Sequence, residues 1–136
     1  MTGNEPQPFV LFVGSDLVFA EKVQSAAVAN GLSARWKQNV GDAFAEAADP
    51  ACRAVLLDLE TPGLSVADFL ARLPRQQRPR VIAYGAHVRA GRLKQAREAG
   101  CDEVVTRGRF SQDLPEILGK CIRKRADAAE RGERAN

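Results

Sequence analysis

Ala54-Val55-Leu56-Leu57-Asp58-Leu59-Glu60-Thr61-Pro62-Gly63 is the stretch whose reading decides the fold. Four apolar residues run straight into an aspartate, and a Pro-Gly pair closes the segment. A short, continuous apolar run bounded by turn residues predicts a strand buried on both faces of a parallel sheet. Asp58 then falls at the carboxyl end of a central strand, where open α/β sheets place their sites.

Working outward, the same pattern recurs. Phe9 to Val13 is a second apolar run, closed by Gly14, and predicts an earlier buried strand. Ser15 and Asp16 are suited to cap a helix over 17–30, with Leu17, Ala20, Val23, Ala27 and Val28 at helical spacing and Gly31 as the stop. Leu32 to Trp36 alternates with polar residues, as an edge strand does. An Ala-rich helix over 42–48 precedes the Asp58 strand. After it, Ser65 caps a helix through Leu73, Arg80 to Tyr84 forms a fourth strand, and Gly85-Ala86-His87 a loop. A basic helix over 88–99 ends at Gly100, a fifth strand covers 103–106, and a last helix starts at Ser111, with Leu114, Ile117, Leu118 and Cys121 inward. Strands alternating with helices predict a (βα)5 flavodoxin-like three-layer sandwich. Its five-stranded parallel sheet has the order 2-1-3-4-5.

The chain has 136 residues, 45% hydrophobic and 27% charged, as in one soluble domain with an ordinary core. No apolar run approaches the ~20 residues a bilayer span needs, and Met1 to Pro8 lacks the layout of a secretory signal. The expected location is the cytoplasm. The expected organisation is a flexible tail over 1–7, a domain over 8–124 and a charged tail over 125–136. Cys52, Cys101 and Cys121 form no C-x-x-C pair and His87 is the lone histidine, so reduced thiols are expected and no metal site.

Charge is unevenly distributed. Residues 1–68 carry 4 basic and 9 acidic side chains, whereas residues 69–136 carry 16 and 8. Between Asp68 and Glu98 there is no acid, only Arg72, Arg75, Arg78, Arg80, Arg89, Arg92, Lys94 and Arg97. Such a face fits an acidic partner or simple solvation. Without a helix-turn-helix pattern or interleaved aromatics, nucleic acid is not the expected partner.

On Val55 to Gly63, and on Ala99-Gly100-Cys101-Asp102-Glu103-Val104-Val105, the chain resembles the receiver domain of bacterial two-component response regulators over roughly residues 8–124. The resemblance implies that Asp58 occupies the phosphoacceptor position, with Pro62 and Gly63 at their usual places after it. It also implies two acids after the first strand, where Gly14 and Ser15 stand, and a hydroxyl residue after the fourth strand, where Gly85 stands. Where the resemblance implies a lysine after the fifth strand stands Arg107, and where it implies the aromatic that switches on activation stands Val104, so that aromatic is lost. Phosphoryl transfer needs a metal and donors to hold the developing charge, and Mg²⁺ favours several carboxylate and carbonyl oxygens. A single Asp58 supplies little of this.

The expectation is therefore a stand-alone pseudo-receiver, not an enzyme and without cofactor, whose output comes through a protein partner. That partner is a signalling or output protein, or a histidine kinase. The alternative is a phosphorelay receiver modified at Asp58, which requires Mg²⁺. Asp58 is expected to pair with Arg107, Trp36 to pack at the sheet edge, and Arg89, Arg92, Lys94 and Arg97 to form the interaction surface, since receivers commonly bind partners through the fourth helix. The domain is expected to be a monomer or weak homodimer. Asp58-Leu59-Glu60-Thr61 matches the D-x-D-x-T motif of haloacid-dehalogenase-like phosphatases poorly: the strand and the second acid differ. His87 is given no catalytic role.

Overall fold

The computed structural model describes residues 7–130, with side chains described for 7–120. Ten elements alternate: β1 Phe9–Val13, α1 Leu17–Ala29, β2 Ser33–Lys37, α2 Val40–Ala48, β3 Cys52–Asp58, α3 Val66–Ala71, β4 Arg80–Gly85, α4 Ala90–Ala99, β5 Glu103–Thr106 and α5 Arg107–Glu130. All four strand pairings are parallel and the order is β2-β1-β3-β4-β5. The (βα)5 reading and its strand order are borne out.

The central strands are continuous apolar runs because both their faces are covered. Phe9, Leu11 and Val13 of β1 join Val55 and Leu57 of β3 on the face packed by α2, α3 and α4. The alternate residues Val10, Phe12, Ala54 and Leu56 face α1 and α5. This is the period of two that a strand imposes. Edge strands β2 and β5 are half-buried throughout.

Two expectations are corrected. Leu17 and Val28 lie 58% and 65% exposed; the inward face of α1 is Phe19, Val23, Ala26 and Ala27. The aromatic at 19 offers more area to bury than any residue of the other phase, and it sets the helix rotation. The last helix begins at Arg107 rather than Ser111. The Thr106 hydroxyl accepts the Arg109 N–H at 3.3 Å, and buried Phe110 draws that first turn onto the core. Leu114, Ile117 and Leu118 are inward as expected, whereas the Cys121 side chain lies outside those described.

The turn after β3 follows from its sequence. Leu64 N–H closes onto the Thr61 carbonyl at 3.2 Å, and Gly63 has φ +74°. Proline at the second turn position and a left-handed glycine at the third satisfy a type II turn.

Candidate functional site

The strand order reverses between β1 and β3, and the crevice at their carboxyl ends is where this topology places ligands. Asp58 ends β3 there, only 6% exposed. One carboxylate oxygen accepts the Glu60 backbone N–H at 2.9 Å, a local turn that aspartate favours. Thr61, also buried, donates its hydroxyl to the Asp58 carbonyl at 2.6 Å. The bend after Asp58 is thus held by its own residues.

The position expected to supply an acid is filled by neighbours. A Cβ on Gly14 would stand 3.0 Å from the Asp58 Cβ, 3.0 Å from the Phe12 ring edge and 3.4 Å from the other Asp58 carboxylate oxygen. Both Gly14 backbone groups are engaged: its N–H donates to the Lys37 carbonyl at 3.1 Å, and its carbonyl accepts the Trp36 indole at 2.6 Å. Trp36 does lie on edge strand β2, half-buried, with that hydrogen bond besides. Ser15 is exposed.

Asp16 caps α1 by accepting the Phe19 N–H at 3.1 Å and pairs with Arg107. The Phe19 N–H, and then Arg107, hold the Asp16 carboxyl below its usual range. The expected Asp58–Arg107 pair is therefore corrected. Arg107 opens α5 at the surface, and its guanidinium lies 4.5 Å over the Phe19 ring. Pairing there avoids the desolvation that a buried partner demands of a guanidinium. Among the described residues, no cation forms an ion pair with Asp58.

The hydroxyl position is also packed with carbon. A Cβ on Gly85 would meet Leu59 at 3.3 Å and Leu93 at 3.5 Å. Val104 is half-buried against the core on the α2–α4 face. Beside Asp58, on the α1–α5 face opposite to Val104, sits Tyr84, its register partner across β3 and β4. Tyr84 is fully buried, stacked 4.3 Å from Phe110 and 5.3 Å from Phe19 between ring centroids. Its hydroxyl is buried and makes no hydrogen bond of normal geometry. Burial, and then the charge of Asp58, raise the phenol well above its ordinary range, so it stays protonated.

These donors do not fit Mg²⁺. The ion requires near-octahedral oxygen coordination, and among the described residues no cluster of three acids, histidines or cysteines exists. Asp58 is alone, and Asp16 is committed to a helix cap and an arginine. Cys101 is half-buried, and burial followed by the Asp102 charge pushes its thiol up to about 11. His87 is exposed in the loop before α4.

The four basic residues expected to form one surface divide. Arg89 and Arg92 turn to the loop after β3, pairing with Glu60 at 3.4 and 3.7 Å, and Arg92 donates to the Leu59 carbonyl at 3.0 Å. Lys94 and Arg97 are exposed and make no ion pair among the described residues. Helical geometry puts them on the opposite flank of α4. Elsewhere in the basic stretch, Arg72 pairs with Asp68 and Arg78 with Asp102. Sequence reasoning missed the roles of Glu60, Thr61 and Tyr84. A tyrosine amid Val81-Ile82-Ala83, one residue before Gly85, was the available signal.

No family model and no curated protein matches the chain. Solved structures do. The signal receiver domain of an HD domain-containing protein from Pseudomonas fluorescens Pf-5 superposes with a TM-score of 0.75 at 17% identity, covering 93% of this chain and 95% of that one. The signal receiver domain of a putative Luxo repressor protein from Vibrio parahaemolyticus gives 0.73 at 19%, over 94% and 98%. A response regulator receiver domain from Bermanella marisrubri gives 0.72 at 18%, over 86% and 99%. The fold is that of CheY-like response regulator receiver domains.

Proposed function

We propose that this chain is a pseudo-receiver: a two-component-type signalling module that acts by protein contact, without phosphorylation of Asp58 and without enzymatic activity of its own. The observation that carries the reading is the packing at Gly14, where even a Cβ would press on Asp58 and Phe12. A side chain at that position fits only if Phe12 or Asp58 yields by a few tenths of an ångström. The apolar contacts around Gly85 and the engagement of Arg107 by Asp16 act in the same direction. The module works in the cytoplasm as a monomer or weak dimer, and a signalling or output protein, or a histidine kinase, reads its surface. Arg89 and Arg92 belong to that surface beside the loop after β3, and Lys94 and Arg97 offer separate charges on the opposite flank of α4. A second reading, a phosphorelay receiver modified at Asp58 with Mg²⁺, is favoured by one observation: the aspartate stands at the strand end with the Pro62-Gly63 turn in place.

Trp36 tests the metal requirement directly. It is the single tryptophan, and its indole donates to the carbonyl of Gly14. Titration with millimolar Mg²⁺ is expected to leave its emission unchanged. A saturable change that disappears in Asp58→Asn would support the phosphorelay reading instead.

A further inference from the structure

A groove of about 530 Å³ between α3 and α4 is lined by the apolar Leu59, Leu64, Val66 and Ala99 and by the polar Ser65, Arg92 and Gln95. At its lip stands Glu60, side chain 39% exposed, paired with Arg89 and Arg92. We propose that this groove binds an acidic segment of a partner protein bearing apolar side chains, and that Glu60 occupies the carboxylate position of that segment in the free domain. The inference rests on the protein-contact reading above and names the chemistry of the partner.

Three features converge on this occupant. Two arginines face one acid at this lip, Arg89 and Arg92 against Glu60, so it carries an excess of positive charge. A carboxylate is already bound there in cis, which shows what the two guanidinium groups accept. Arg92 is also held by its Nη1 bond to the Leu59 carbonyl, which keeps its guanidinium charge beside Glu60 before any partner arrives. The Glu60 pairs are exposed, and such pairs contribute little. An incoming acid therefore exchanges with Glu60 at small cost. Apolar side chains in the groove then supply affinity, while the rim charges set orientation and salt dependence. Nucleic acid fits poorly, because the groove offers no aromatic ring on which a base would stack.

Fluorescence anisotropy with a labelled peptide of alternating Glu and Leu pairs tests this, beside a Lys/Leu peptide and a single-stranded oligonucleotide as controls. The Glu/Leu peptide is expected to bind saturably and more weakly as salt rises, and the Lys/Leu peptide not to bind. Glu60→Gln removes the internal competitor and should tighten binding about threefold. Arg92→Glu should weaken it about tenfold. Ala99→Trp, which fills the groove and leaves every charge in place, should also abolish binding and guards against a misfolded Arg92 variant. Unchanged or weaker binding in Glu60→Gln, or tighter binding of the oligonucleotide, would overturn the proposal. Loss of the groove with Asp58 still unmodified rejects only this inference; phosphorylation of Asp58 rejects the reading beneath it.

Discussion

Replacing Tyr84 with alanine is expected to lower the unfolding free energy by about 3–5 kcal/mol. Tyr84 is 0% exposed and joins Phe12, Phe19 and Phe110 in one aromatic layer beside Asp58. Truncation would leave a void between two helices and the sheet that none of these rings can fill without leaving its rotamer. Since small domains have only about 5–15 kcal/mol in total, the variant should unfold at much lower denaturant. Tyr84→Phe isolates the hydroxyl. That group is buried without a hydrogen bond of normal geometry although Asp58 lies beside it, so its removal should leave stability unchanged or raise it by about 1 kcal/mol. A loss of that size in Tyr84→Phe would instead mean that the phenol donates to Asp58. The raised phenol also sets a pH dependence. The unfolded chain ionises near the ordinary tyrosine value of about 10, whereas the folded phenol does so higher. Its contribution is therefore complete below about pH 10 and declines as pH rises beyond it. As the single tyrosine, it gives a tyrosinate absorbance that should appear only with unfolding.

Restoring an acid after β1 should damage the domain rather than revive a metal site. Gly14→Asp places a Cβ 3.0 Å from two buried neighbours. Phe12 is 1% exposed and stacked on Tyr84 with ring planes 10° apart, so yielding to a new Cβ disturbs that packing. Overpacking of this kind costs about 1–3 kcal/mol, and a second carboxylate beside Asp58 adds like-charge repulsion. Denaturant unfolding of Gly14→Ala measures the steric part, and Gly14→Asp the sum. An aspartate variant as stable as the parent, and further stabilised by Mg²⁺, would show that the pocket still opens.

Much of this fold was legible because burial on both faces writes itself as an unbroken apolar run. Phe9–Val13 and Cys52–Asp58 needed no other signal, and Pro62-Gly63 announced its turn chemically. What escaped depended on choices between local rules. In α1, two helical phases were available, and only packing reveals that Phe19 rather than Leu17 turns inward. At α5, Ser111 resembled a cap, but Thr106 one turn earlier took that role. The site was legible in its missing groups, because Gly14 and Gly85 have no side chain to offer. It was not legible in what replaced them. The pairing of Arg107 follows from the start of α5, and the splitting of the basic helix follows from Glu60, a residue outside that helix.

The central claim is that Asp58 is a structural carboxylate and not a phosphoacceptor. Intact-mass measurement after incubation with Mg²⁺ and a small acyl phosphate tests it most directly, with Asp58→Asn in parallel. The account predicts identical, unshifted masses for both proteins. A gain of one phosphoryl group in the parent chain, absent from Asp58→Asn, would contradict it.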